Sequence, residues 1–140
     1  MMKTIIYSAD KKEKQRILFR LADVLKNRSD IQFSYVYGSF IGELPFHDID
    51  VAVYFTDDRK ETATLDTLEL SQVMSAELRI PVDVRALNFT SIPFQYQAIR
   101  GLLLYEKDQD FTARFVERTV RRYLDIKPFL LFGMKEAFAA

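Results

Sequence analysis

Apolar residues recur at helical spacing in three segments of the chain, which predicts three long helices. The first helix is expected from Lys11 to Arg28. The second follows the polar loop from Thr56 to Glu61 and should stop before Pro81, because a residue that precedes proline disfavours helical backbone. The last is expected from Asp110 to Ile126. The apolar stripes are Ile17, Leu18, Leu21, Val24 and Leu25, then Leu65, Leu68, Val73, Met74 and Leu78, then Phe111, Phe115, Val116, Val120, Tyr123 and Leu124.

Runs rich in β-branched and aromatic residues predict four strands between these helices. The strands are expected at Ile31 to Tyr37, Asp48 to Phe55, Pro81 to Leu87 and Gly101 to Glu106. A short helix from Ser91 to Arg100 should precede the last strand, with Ser91 as its N-cap and a proline in its first turn. This alternation indicates the α/β (α+β) class, a mixed β-sheet with helices packed on it.

Composition narrows the classes of function. The chain has 140 residues, 49% of them apolar, which suits a single domain over residues 1–140. Its 20 basic and 20 acidic side chains balance, so nothing favours nucleic acid or an anionic membrane as a partner. There is no cysteine and no apolar stretch long enough for a signal peptide or a membrane span, so we expect a cytoplasmic protein. Chemistry must come from carboxylates, hydroxyls or the one histidine, His47, which we interpret as a turn residue.

Gly38 and Ser39 follow the first predicted strand and form a candidate phosphate-binding turn. Glycine allows the backbone to turn tightly. The amides that follow it and the Ser39 hydroxyl can then donate hydrogen bonds to a phosphate at the start of a short helix. A Gly-Ser pair alone is common in turns, so this interpretation depends on the acidic residues that follow.

Two carboxylates stand at the start of the second predicted strand. Because side chains alternate between the faces of a strand, Asp48 and Asp50 share one face, roughly 7 Å apart. Two negative charges so placed repel each other unless a cation lies between them. Mg²⁺ suits them, since it takes hard oxygen ligands and usually combines one or two carboxylates with substrate phosphate oxygens.

Asp83, on the third predicted strand, is a candidate third acid and shares a face with Arg85. If the second and third strands are neighbours, Asp83 would be a metal ligand or would help to deprotonate an attacking hydroxyl. The alternative is an exposed aspartate that only pairs with Arg85. With a metal and a bound triphosphate, the three acids predict nucleotidyl transfer by in-line attack at the α-phosphorus.

Three motifs resemble the signature of the DNA polymerase beta-like nucleotidyltransferase superfamily: Gly38-Ser39-Phe40, Asp48-Ile49-Asp50 and Val82-Asp83-Val84. The chain is most similar to the minimal nucleotidyltransferases, small stand-alone domains often paired with HEPN-domain toxins. Residues Ile99 to Asp108 and Arg121 to Phe129 are similar to that group's later strand and final helix.

The resemblance implies a nucleotidyltransferase fold, ATP as substrate and Mg²⁺ as cofactor. It implies that Asp48, Asp50 and Asp83 are the catalytic and metal-binding residues and that Gly38 and Ser39 bind the nucleotide. The reaction would transfer AMP to a hydroxyl, in several members a tyrosine of the partner HEPN toxin, so the chain would act as an antitoxin. Whether it also forms a homo-oligomer stays open.

A second hypothesis is a binding module that neutralises its partner by contact, with little catalysis. Eight residues separate Ser39 from Asp48, where the family usually has roughly ten, and Ile41-Gly42-Glu43 stands where the family usually has a basic residue. The apolar tail from Pro128 to Phe138 either packs back on the core, which we favour, or docks a partner. A third reading, transfer to a small molecule, would ordinarily require a second domain to shape the acceptor pocket.

Overall fold

The computed structural model describes residues 5–57 and 59–138. Every predicted helix and strand is present, and the first strand has the predicted bounds. In chain order the elements are α1 (Lys11–Lys26), β1 (Ile31–Tyr37), a 3₁₀ turn (Ser39–Ile41), β2 (Ile49–Phe55), α2 (Lys60–Leu78), β3 (Val82–Ala86), α3 (Ile92–Ile99), β4 (Leu102–Glu106) and α4 (Gln109–Phe138).

The four strands form one mixed sheet in the order β3-β2-β1-β4. Strand β1 pairs antiparallel with β2 and with β4, while β2 pairs parallel with β3. Asp50 on β2 lies opposite Tyr37 on one side and opposite Asp83 on the other. The predicted fold class is confirmed, and β2 and β3 are neighbours, which is the condition that Asp83 needed to approach Asp50.

Each face of the sheet carries its own hydrophobic cluster. Helices α1 and α2 cover one face, where Leu21, Leu25, Leu70 and Met74 pack against the β-branched residues of β2 and β3. Helices α3 and α4 lie on the opposite face, over a cluster that is rich in aromatic residues. That cluster consists of Phe33, Tyr35, Tyr37, Ala52, Leu87, Ala98 and Phe115. The acidic residues of β2 and β3 share this aromatic face, at the end of the sheet where β1 leaves it.

Two helices start at the positions predicted from the sequence, and each has a side-chain hydrogen bond that caps its N-terminus. The carboxylate of Asp10 accepts from the Glu13 amide at 2.8 Å and caps α1. The Ser91 hydroxyl accepts from the Phe94 amide at 3.3 Å and caps α3, as predicted. Helix α2 begins at Lys60, inside the segment expected to be a loop, so the polar loop is shorter than predicted.

Helix α4 differs most from expectation. It continues through Pro128 to Phe138, twelve residues past the predicted end at Ile126. Proline removes one backbone donor and usually breaks a helix, but strong helix formers such as Leu, Met, Lys, Glu and Ala follow it here. The side chains from 127 to 137 are exposed, so the favoured prediction that the tail packs on the core was wrong. Among the described residues, no helix is both long and apolar enough to cross a membrane.

Candidate active site

The site is centred on Asp50, whose carboxylate is partly buried on the aromatic face of the sheet. Its position follows from strand alternation, since Ile49 and Val51 are fully buried on the opposite face. Burial first, and then the carboxylates of Asp48 and Asp83, raise the pKa of Asp50 to about 6, while the Arg85 guanidinium opposes the rise. The charges of Asp48 and Asp83 thus act on the Asp50 carboxylate.

Gly38 lies directly against the Asp50 carboxylate. Its backbone has φ +83° and ψ −157°, a conformation that side-chain-bearing residues rarely adopt. A Cβ atom added to Gly38 would lie 2.6 Å from Oδ2 of Asp50, which is closer than a carbon and an oxygen can approach without bonding. Glycine is therefore needed for two reasons, the backbone turn and the space that the carboxylate occupies.

The 3₁₀ turn that follows presents its first amides to the same end of the sheet. Its own hydrogen bonds use the amides of Ile41, donating to the Gly38 carbonyl, and Gly42, donating to the Ser39 carbonyl. The first amides of a helical turn have no partner within it, so those of Ser39 and Phe40 can donate to an anion. Ser39 is exposed, whereas the Phe40 ring is buried and anchors the turn in the core.

Lys14 ties this turn to α1. Its ammonium donates to the Gly42 carbonyl at 2.5 Å. The same nitrogen lies 5.4 Å from the ring centroid of Phe40 and 5.7 Å from that of Phe46, and these two buried rings meet edge to face. These contacts fix the C-terminal end of the turn relative to α1.

Tyr37 also lies at the site, although no sequence motif pointed to it. It is 6% exposed and lies opposite Asp50 in the β1–β2 register. Burial, followed by the charge of Asp50, raises the pKa of its phenol to about 12, so the hydroxyl stays protonated at neutral pH. The signal that could have found it is its place directly before Gly38, at the end of a strand that pairs with the Asp50 strand.

Arg85 and Phe94 form one wall of the site. Arg85 lies on the same face as Asp83, as predicted, with its Nε 3.8 Å from Oδ2 of Asp83. Its guanidinium carbon lies 5.3 Å from the centroid of the Phe94 ring, which in turn packs edge to face against Tyr37. A cation therefore stands beside the acids, supplied by β3 and not by the turn after Gly38.

The donor chemistry of the acids fits a hard divalent cation such as Mg²⁺. Asp50 has two carboxylate neighbours, and its raised pKa shows that negative charge is unfavourable there without a compensating cation. Among the described residues, no three acidic or histidine side chains are gathered closely enough to hold a metal by themselves. The arrangement therefore suits a metal ion that is coordinated by one or two carboxylates together with the phosphate oxygens of a substrate.

His47 lies apart from this chemistry. It is exposed, and its Nδ1 is 3.2 Å from the Ile5 carbonyl oxygen, a contact between two loop segments. This agrees with its interpretation as a turn residue.

Sequence comparison identifies the family to which this geometry belongs. The family described as Polymerase beta, Nucleotidyltransferase matches residues 20–110, a span that contains Gly38, Ser39 and all three aspartates. The chain belongs to the polymerase beta nucleotidyltransferase family. The family predicted from the three motifs is confirmed. No curated protein sequence matches the chain.

Solved structures share the fold of this nucleotidyltransferase. One is the complex of a tri-AMPylated Shewanella oneidensis HEPN toxin with MNT antitoxin, with a TM-score of 0.71 and 21% identity over 89% of this chain and 98% of that chain. Another is the toxin–antitoxin MntA–HepT, with a TM-score of 0.69 and 22% identity over 89% and 98%. A third is a toxin–antitoxin with AMP-PNP, with a TM-score of 0.69 and 23% identity over the same shares. At these identities the likeness establishes the fold.

Proposed function

We propose that the chain transfers AMP from ATP to a hydroxyl, with Mg²⁺ as cofactor, and that the acceptor is a tyrosine of a partner HEPN toxin. The observation that carries the proposal is the contact of Gly38 with Asp50, because it joins an anion-binding turn to a group of carboxylates. The solved relatives support the nucleotide and the acceptor, since one contains an AMPylated HEPN toxin and another contains AMP-PNP.

Each residue has a distinct task in this proposal. The amides of the 3₁₀ turn and the Ser39 hydroxyl bind phosphate oxygens. Asp48 and Asp50 would hold Mg²⁺, with Asp83 as a further ligand or as the base. When bound, the ion would neutralise charge on the triphosphate and favour departure of pyrophosphate.

The transfer itself needs a positioned hydroxyl and a proton acceptor. The acceptor oxygen attacks the α-phosphorus in line with the leaving group and forms the new P–O bond. The bond from the α-phosphorus to the bridging oxygen breaks, and pyrophosphate leaves with that electron pair. The hydroxyl proton passes to a carboxylate, and Asp83 suits this task because it is more than half exposed, beside the partly buried Asp50.

Label transfer tests the proposal. The wild-type protein should move radioactivity from α-labelled ATP to a co-purified HEPN partner only when Mg²⁺ is present. Asp48→Asn combined with Asp50→Asn should abolish the transfer, whereas Glu77→Gln, an exposed acid on α2, should leave it unchanged. Equal labelling by the double variant and the wild type would refute the assignment of these carboxylates.

One observation favours a second candidate function, neutralisation of a partner by contact. The α4 segment beyond Ile126 exposes Phe129, Leu131, Phe132 and Met134, each more than half accessible. Exposed apolar clusters of this kind mark interaction surfaces. A stable complex with the partner, formed without ATP and without label transfer, would favour this candidate over catalysis.

A further inference from the structure

We infer that Arg85 recognises the β- and γ-phosphates of the bound nucleotide and so makes the site selective for triphosphates. The inference rests on the proposed function and deepens it. It assigns to β3 the cation that the turn after Gly38 does not supply, since Ile41-Gly42-Glu43 carries no basic residue.

The position of Arg85 suits this role. Its register partner on β2 is Ala52, two residues beyond Asp50 and on the same face. The Gly38 turn and Arg85 therefore lie on opposite sides of the Asp50 carboxylate. Across the sheet they are two strands apart, about 10 Å, and Arg85 is displaced by two residues along its strand, about 7 Å, a distance that its long side chain spans back toward Asp83. A polyphosphate chain that crosses the acids from the turn would end near the guanidinium.

The contacts of Arg85 hold its side chain without using its hydrogen-bonding capacity. The ion pair with Asp83 is 3.8 Å long, outside hydrogen-bonding distance, and both side chains are more than half exposed. Such exposed pairs contribute little to stability. The guanidinium carbon also lies over the face of the Phe94 ring, 5.3 Å from its centroid. Its planar set of N–H donors is left to bind phosphate oxygens in pairs.

Some arginines of the described chain are paired with acids away from the site. Arg28 bonds Asp30 through two nitrogens and lies 3.3 Å from Asp66. Arg121 pairs with Glu117 at 2.7 Å along α4. Arg85, in contrast, lies at the site itself, beside Asp83 and over the Phe94 ring. A triphosphate bound at the acids would therefore lie close to the positive charge of Arg85.

Calorimetric titration of AMP-PNP, inorganic tripolyphosphate and AMP into Arg85 variants tests the inference. Arg85→Gln should weaken the binding of AMP-PNP and tripolyphosphate about tenfold, the loss expected for a charge-assisted hydrogen bond, and should leave AMP binding unchanged. Arg85→Lys should show an intermediate loss, since it keeps the charge but not the paired donors. Arg100→Gln is the matched control, because Arg100 stacks on Tyr96 at the end of α3.

Three outcomes would overturn the inference. AMP-PNP binding by Arg85→Gln equal to that of the wild type would show that Arg85 does not touch the phosphates. An equal loss for AMP and AMP-PNP would place its effect elsewhere in the site. Failure of the wild type to bind AMP-PNP with Mg²⁺ would contradict the proposed function as well, which separates the two failures. Melting temperatures of all variants check folding, and an exposed arginine should alter them little.

Discussion

Gly38 lies against the Asp50 carboxylate, so closely that a Cβ on residue 38 would be 2.6 Å from Oδ2 of Asp50 and would force a shift. Gly38 directly follows β1, and Asp50 lies near the start of the adjacent strand β2. The contact brings the candidate phosphate-binding turn and a carboxylate together within the fold itself. Preorganisation of this kind lowers the cost of positioning a triphosphate.

Gly38→Ala should therefore damage both stability and nucleotide binding. The positive φ and the clash with Asp50 should lower the free energy of unfolding by about 1–3 kcal/mol. Urea denaturation measures this loss, and titration with AMP-PNP should show weakened binding. Gly133→Ala is the control, because no atom lies within 4 Å of an added Cβ there and alanine favours the helix by up to about 1 kcal/mol. A Gly38→Ala variant as stable as the wild type would contradict the crowding described above.

Asp50 should make the protein less stable as pH rises from about 4 to about 6. Its pKa is about 6 in the folded protein and 3.8 ordinarily, so in this window the folded state binds more protons than the unfolded state. Above pH 6, Asp50→Asn should raise the free energy of unfolding by about 1 kcal/mol, after allowance for solvent screening.

Urea denaturation of wild type and Asp50→Asn across this pH range measures the difference between the two proteins. The comparison removes the contribution of Asp30, whose pKa is lowered by its hydrogen bonds to Arg28 and which acts in the opposite sense at lower pH. If the wild type gained stability relative to the variant as pH rose through the window, the sign assigned to Asp50 would be wrong.

Lys14 should hold the candidate phosphate-binding turn in place. Lys14→Met removes the hydrogen bond to the Gly42 carbonyl and the cation above two buried rings, so the free energy of unfolding should fall by about 1 kcal/mol. Affinity for AMP-PNP should fall severalfold, because the turn loses a fixed end. Lys12→Met, an exposed change on the same helix, should alter neither quantity. Loss of stability with unchanged nucleotide affinity would confine Lys14 to a structural role.

Deletion of the chain from Pro128 onward should leave the domain as stable as before. The side chains from 127 to 137 are exposed, so little apolar area buried in the fold is lost. Phe115→Ala, in the same helix but 4% exposed, should by contrast cost about 3–5 kcal/mol. Thermal denaturation of both variants gives the comparison. A large loss of stability on deletion would mean that the tail does contribute to the core.

Most of the fold could be predicted because local patterns determine it. The β1 bounds followed from a run rich in β-branched and aromatic residues between breakers, and the cap at Ser91 followed from its position before a proline. The end of α4 could not be predicted in this way. Proline usually ends a helix, and whether α4 continues past Pro128 depends on how strongly the residues beyond it favour helix.

The sequence was enough to predict the candidate acids and the turn, but not which other residues lie next to them in the fold. Alternation placed Asp48 and Asp50 on one face, but only strand order puts Asp83 opposite Asp50. The antiparallel register of β1 and β2 places Tyr37 beside Asp50, and the packing of α3 on the sheet places Phe94 against Tyr37. Such contacts join residues far apart in sequence, and the alternation of side chains along a single strand does not reveal which strands pair or in which register.

The most direct test of the central claim is calorimetric titration of AMP-PNP into the wild type and the Asp48→Asn, Asp50→Asn double variant, with and without Mg²⁺. The site described here predicts that the wild type binds more tightly with Mg²⁺ and that the double variant loses this metal-dependent increase. Equal metal dependence in the two proteins would contradict the assignment of the carboxylates as the metal and nucleotide site.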